Sequence, residues 1–299
     1  MRSHDKGGRV STLSPCAVTR QIMELHRMGQ TFKPIISPGV PESARRLFWE
    51  VFFASRGRGI DLNAHFPWIS CTQNIFCVEI RNPSGTGEAL AALVVRELRV
   101  GLDACAGLIG LVCVDEAWRG KGLASGLMSS AIELGVSRNM TALILWTQKP
   151  EVYAGQGFVI DQQDRFGYVE SAPEQRIKMV YATHDWPGSD VGETKRGIPP
   201  FASRGQVISS DRASIVVFSV KEGWSVAEWA GEKKDIVDLM MASLPGRYSL
   251  NLAEGDSLIS ELEERGLGLD LRPSAVRMVK HLGDGVPVKL PTIKFLDRI

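Results

Sequence analysis

One junction in the first half of the chain constrains its fold more than any other feature. Residues 107–114 (GLIGLVCV) form a near-continuous apolar run, as in a strand buried on both faces. A polar stretch containing two glycines follows at 115–122 (DEAWRGKG). Leu127, Met128, Ala131, Ile132 and Leu134 then recur at helical spacing, which predicts a helix over 123–137. A buried strand therefore passes through a glycine loop straight into a helix. The first N–H groups of a helix have no intrahelical partner, and the helix dipole adds partial positive charge there. Glycines let the backbone approach a ligand closely, so a pyrophosphate fits such a site without a metal. Arg119 and Lys121 add cationic character beside it. A Walker-type loop is excluded, because GxxxxGK[ST] is absent. Gly120-Lys-Gly122 also lacks the third glycine of a dinucleotide-binding turn. Taken alone, the loop is equally well read as an ordinary turn.

The neighbouring pattern gives the junction a context. Residues 32–36 read as a short strand. Pro41 starts a helix whose face carries Ala44, Leu47, Phe48, Val51 and Phe52. Strands are expected at 74–80 and 89–95, joined by the turn-rich 82–87 (NPSGTG) as a hairpin. After the 123–137 helix come a strand at 142–146, a short helix at 150–155, and strands from 157 and at 176–181. Residues 185–206 are rich in Gly, Pro and Ser, which marks a linker between domains at 31–184 and 207–299. The second domain reads strand (213–220), strand (224–229), helix (234–244), strand (248–252), helix (256–265) and tail. Residues 1–30 read as a loose arm, with one short helix at 21–28.

Composition narrows the function. The 299 residues suit two domains, and 44 % apolar with 23 % charged residues is ordinary for a globular protein. The formal net charge of +1 lacks the basic excess of a phosphate-reading protein, so no nucleic-acid partner is expected. The five cysteines, Cys16, Cys71, Cys77, Cys105 and Cys113, are odd in number and contain no CxxC pair. Neither a disulfide framework nor a metal site is expected. Residues 1–20 lack a signal-peptide apolar core, and no run approaches the length of a membrane span. A cytoplasmic protein without a membrane partner is the expectation.

Residues 112–124 (VCVDEAWRGKGLA) resemble motif A of the GCN5-related N-acetyltransferase (GNAT) family. Arg119, Gly122 and Ala124 stand at its Arg/Gln-x-x-Gly-x-Gly/Ala positions. Tyr153, Gly157 and Phe158 match the family's Tyr-xxx-Gly-Phe signature at the right distance. The element order from Phe32 to Tyr181 also agrees, so the resemblance covers about half the chain. It implies an α/β (α+β) GNAT fold: a mixed, mostly antiparallel twisted sheet flanked by helices. It also implies acetyl-CoA as cosubstrate and an amine of a small molecule or peptide as acceptor. By resemblance, the strand before the loop splays from its neighbour at a bulge. The main chain of Val112, Cys113 and Val114 pairs with the pantetheine arm, and an N–H there polarises the thioester carbonyl. The backbone of Arg119, Gly120, Lys121, Gly122, Leu123, Ala124 and Ser125 holds the pyrophosphate. Tyr153 is the acid for the departing thiolate; a packed aromatic is the alternative. Cys113 as a nucleophile is disfavoured, because the family transfers the acyl group directly and a buried strand thiol is usually inert.

The match has departures. Residues 146–150 (WTQKP) lack the Asn and Ala that often precede the tyrosine, and Gln148 is a candidate for polar contacts to the pantetheine arm. No glutamate stands on the 107–114 strand to act as base; Asp115, Glu79 and His65 are candidate substitutes, each more simply read as a surface group. Residues 55–68 fall where acceptor contacts often lie. The second domain resembles the degenerate lobe of tandem GNAT proteins, which walls off the acceptor pocket or mediates homodimerisation; an unrelated small α/β domain is the alternative. Residues 262–267 place Leu262 where the tyrosine would be, and 230–234 (AGEKK) has no RGxGxA, so this lobe is not expected to bind CoA. A longer acyl donor, or a CoA-binding sensor without turnover, remain competing functions.

Overall fold

The computed structural model describes residues 32–100, 104–186, 196–283, 290 and 292–298. The arm and short helix expected within 1–30 lie outside the described residues. The first half runs β1 (Ile35–Pro38), α1 (Glu42–Phe52), α2 (Leu62–His65), β2 (Ile75–Arg81), β3 (Ala89–Arg99), β4 (Cys105–Val114), α3 (Leu123–Ser137), β5 (Ala142–Thr147), α4 (Glu151–Ala154) and β6 (Val159–Glu170). The second half runs β7 (Ala182–Trp186), β8 (Ala202–Ser209), β9 (Ala213–Val220), β10 (Gly223–Gly231), α5 (Lys233–Ser243), β11 (Arg247–Ala253), α6 (Ser257–Glu264) and β12 (Gly268–His281).

The described strands join one mixed sheet in the order β1-β2-β3-β4-β5-β12-β6-β11-β10-β9-β8-β7. The pairs β4–β5 and β10–β11 are parallel, and the remaining neighbours are antiparallel. Each half repeats strand, helix, parallel strand, short helix, closing strand. The closing strands are exchanged: β12 pairs with β5 of the first half, and β6 pairs with β11 of the second. Hydrogen bonding therefore crosses the expected linker, and that segment itself holds the end of β7 and the start of β8.

Two expectations change. The tail after residue 265 contains β12, a strand of 14 residues. Leu267, Leu269 and Leu271 alternate as a strand requires, but Pro273 argues against one. The sheet accommodates Pro273 at a register shift between Pro273 and Val276. Residues 176–181, expected as the closing strand of the first domain, carry no regular structure; β7 begins at Ala182 and pairs with β8.

Helices cover both faces of the first half. Leu127, Met128 and Ala131 of α3 pack on Ile80, Leu93 and Leu143. Ala44, Leu47 and Phe48 of α1 pack on the other face with Phe53, Ile69, Cys77 and Cys113. A fully buried side chain such as Phe48 contributes about 2 kcal/mol. In the second half, Ile236 and Met240 of α5 and Leu258 of α6 cover Ile215, Val226 and Leu250. Asp256 starts α6 by accepting the Leu258 N–H at 2.9 Å, as expected of an N-cap.

Candidate active site

The site begins where β4 leaves its neighbours. β4 pairs with β5 only over Ala106–Leu108 and Ala142–Ile144. Beyond that point the two strands diverge, and alternate backbone groups of residues 109–114 face the gap without a ladder partner. On the other side, the β3–β4 register shifts between Ala92 and Val94. Leu111 and Val112 together oppose the single residue Leu93, one residue in excess, and Leu111 takes φ 52°. A non-glycine residue with positive φ is a strained conformation. Here it forms the bulge that turns the β4 backbone toward the gap.

The loop after β4 is fixed at its ends and open in its middle. The Asp115 carboxylate accepts the Ala117 N–H at 3.0 Å, and Trp118 is buried edge-on against Phe32 at 5.7 Å. Gly120 and Gly122 take φ 74° and 76°. A Cβ at either would meet nothing within 4 Å, so the space above both is open. Gly122 is the N-cap of α3, and no side chain caps that helix. The N–H groups of Leu123, Ala124 and Ser125 are thus left for a ligand. Arg119 and Lys121 are exposed; Arg119 makes only a 3.9 Å ion pair with Glu116 and a 3.4 Å contact to the Val114 carbonyl. This loop and the divergent strands leave backbone N–H and C=O groups facing open space.

A cavity of about 460 Å³ fills the gap. Ile109, Leu111, Val112, Leu145, Trp146 and Tyr153 line it from the first half. Of the 55–68 segment, His65, Phe66 and Trp68 reach it. Asn251 of β11, Ala275 of β12, and Phe295, Leu296 and Arg298 near the C-terminus complete the wall. The structure brings Val112 and Tyr153 together here, whereas Arg119 to Ser125 form the separate loop and first turn of α3. Cys113 points to the opposite face, among the α1 core residues. Burial pushes its thiol up to about 12, so it carries little thiolate at neutral pH.

Tyr153 is half-buried, edge-on to Phe158 at 6.3 Å, and desolvation raises its phenol above the usual value. The three candidate bases are engaged elsewhere. Glu79 is fully buried, accepting from Ser43 Oγ at 2.7 Å and paired with Arg81. Asp115 serves the loop. His65 is buried on Phe53, with Nδ1 2.7 Å from the Ile198 carbonyl and Nε2 accepting the Ile60 N–H at 3.0 Å. That pairing fixes the neutral Nδ1–H tautomer.

Sequence reasoning missed Trp146, Asn251 and Arg298. The second half's own strand divergence explains how Arg298 arrives. β10 pairs with β11 only at Ser225 and Val226, and its bulge lies between Val226 and Glu228. Glu228, beside that bulge, accepts the Leu296 N–H at 3.2 Å and pairs with Arg196 at 2.9 Å. Arg196 also grips Asp297 at 2.8 Å. Burial raises the Glu228 carboxyl, opposed by Arg196. The tail so anchored puts Arg298 against Asp164 and 4.6 Å above the Trp146 ring. No local motif encodes that assembly.

Residues 42–158 match the model of the acetyltransferase (GNAT) family, and the chain carries a domain of that family there. The family is one of acyltransferases that generally use acyl-CoA and act on amine acceptors. No curated protein matches the sequence. Solved structures share the fold. A GCN5-related N-acetyltransferase from Anabaena variabilis aligns with TM-score 0.59 and 12 % identity, over 83 % of this chain and 73 % of that one. A GCN5-related N-acetyltransferase from Kribbella flavida aligns with TM-score 0.54 and 14 % identity, over 84 % and 71 %. A tandem GNAT protein from the clavulanic acid biosynthesis pathway aligns with TM-score 0.53 and 10 % identity, over 85 % of this chain and all of that one (100 %). Among the described residues, no group of three His, Cys, Asp or Glu side chains is placed to hold a metal, and no helix is long and apolar enough to cross a membrane.

Proposed function

We propose that this protein is an N-acetyltransferase that moves the acetyl group of acetyl-CoA directly to an amine. The observation that carries this reading is the divergence of β4 from β5 beside an uncapped α3 N-terminus with open space over Gly120 and Gly122. The N–H groups of Leu123, Ala124 and Ser125, with Arg119 and Lys121 nearby, hold the pyrophosphate. The free backbone groups of Val112 and Val114 pair with the pantetheine arm. Acetyl-CoA supplies a thioester whose C–S bond breaks as the acceptor N–C bond forms. An N–H of the β4 bulge is positioned to polarise the thioester carbonyl. Tyr153 donates its proton to the departing sulfur, since burial keeps the phenol protonated. No side-chain base is free among the candidates, so the acceptor's proton leaves through water.

The second half acts as a pocket-completing lobe: Glu228, beside its strand divergence, holds the tail, and the lobe supplies Asn251 and Ala275 to the cavity. The test is calorimetry of acetyl-CoA binding to wild type and Gly122→Glu. A glutamate Cβ there meets nothing within 4 Å, although φ 76° strains any side chain, and its carboxylate is set against the pyrophosphate. Micromolar binding lost in a variant with unchanged circular dichroism supports the site. Equal binding, or none in either protein, refutes it. The apolar lining also suits a longer acyl donor; faster turnover with octanoyl-CoA than with acetyl-CoA would favour that donor.

A further inference from the structure

The cavity beside the β4 bulge already holds a cation. Arg298 lines it with a side chain 16 % exposed, while its partner Asp164 is fully buried and does not line it. The cavity thus meets the cationic member of the pair. The guanidinium carbon lies 4.6 Å from the Trp146 ring centre and 5.5 Å from that of Phe295, and both rings also line the cavity. An aromatic face attracts a cation within about 6 Å, so Arg298 already uses both rings. Among the described lining residues there is no Asp or Glu. Of the remaining titratable ones, Tyr153 is held protonated by burial, and His65 has both ring nitrogens in hydrogen bonds.

This charge pattern selects the amine. An alkyl amine of pKa about 10 is neutral in only about one molecule in 10³ at pH 7. As an ammonium it would lose water on entry, meet a like charge and find no carboxylate. An amine whose nitrogen is bonded to an aromatic ring delocalises its lone pair into that ring and is neutral at pH 7. It has no proton to shed on entry, and its ring finds Phe66, Trp68 and Phe201 to pack on. Resting on the acetyl-transfer reading above, we infer that the acceptor is a weakly basic aromatic amine. Its neutral nitrogen attacks without prior deprotonation, as a site with no free base requires. The N–C bond forms as the C–S bond breaks, the nitrogen's proton passes to water, and Tyr153 protonates the sulfur.

The experiment compares two isomers, 4-propylaniline and 3-phenylpropylamine, which differ in where the nitrogen sits. Calorimetry at pH 7 is expected to show the arylamine bound at least tenfold more tightly. Its affinity should stay flat between pH 7 and 9, whereas that of 3-phenylpropylamine should rise about tenfold per pH unit. At pH 9, in buffers of different ionisation enthalpy, the alkyl amine should release about one proton on binding. Phe201 is 45 % exposed, so Phe201→Glu and Phe201→Gln should both fold. Relative to Phe201→Gln, Phe201→Glu should tighten 3-phenylpropylamine at least fivefold at pH 7, now without proton release, and leave 4-propylaniline within twofold. Alkyl-amine binding to wild type as tight as that of the arylamine at pH 7, or without proton release, overturns the inference. So does no binding of 4-propylaniline, or an equal effect of Phe201→Glu on both amines. Faster acetylation of 3-phenylpropylamine at pH 7 overturns it while leaving acetyl transfer intact. The expected binding pattern with neither amine acetylated keeps the ligand class and sinks acetyl transfer.

Discussion

Replacing Arg298 by methionine removes the cation that faces Asp164. The Asp164 side chain is fully buried, and that of Arg298 is 16 % exposed. Burial already pulls the Arg298 guanidinium below its ordinary value, with the Asp164 carboxylate opposing. Breaking a buried pair on one side typically costs about 3–5 kcal/mol, because the remaining charge stays desolvated. Gln162 Nε2 still donates to Asp164 at 3.1 Å, which places the expected loss near the lower limit, about 3 kcal/mol. Adding Asp164→Asn removes the stranded charge, so the double variant should recover about 2 kcal/mol of that loss. Urea denaturation monitored by tryptophan fluorescence reads both values. A single-variant loss below about 1 kcal/mol, or a double variant less stable than the single one, would show that the pair is solvated and that the tail does not seal the cavity.

Three further outcomes follow from particular contacts. A Cβ on Gly167 would stand 1.8 Å from the Asp270 carbonyl oxygen, so Gly167→Ala should push β12 off β6 and cost at least about 3 kcal/mol; a melting temperature within 2–4 °C (about 1 kcal/mol) of wild type would contradict this crossing. Tyr153→Phe should lower kcat by roughly 10²-fold or more with little change in stability. Because burial raises the phenol pKa, the wild-type pH–kcat profile should show no alkaline fall from Tyr153 until above about 10; an earlier fall abolished by Tyr153→Phe would count against the buried phenol. Cys113→Ala should keep kcat within about twofold, since the thiol faces the α1 core; loss of turnover with the fold intact would revive covalent transfer.

The sequence alone determined the local elements and the glycine loop before α3. The apolar run of β4, the helical spacing of α3 and the glycines between them are short-range patterns, and Gly120 and Gly122 take the left-handed φ that such a loop needs. The helix predicted at 123–137 coincides with α3, because its apolar spacing and its preceding glycine act within one or two turns. Tertiary structure alone decided how the two halves join. β6 and β12 each find their partners across the chain, and a proline at a register shift masked the strand that closes the first half. It also decided the cavity floor. Trp146, Asn251 and Arg298 are far apart in sequence and meet only because Glu228 and Arg196 anchor the tail. Hydrogen bonds within a turn leave a mark on neighbouring residues, whereas pairing between distant strands and buried charges is set by which surfaces the folded chain brings together.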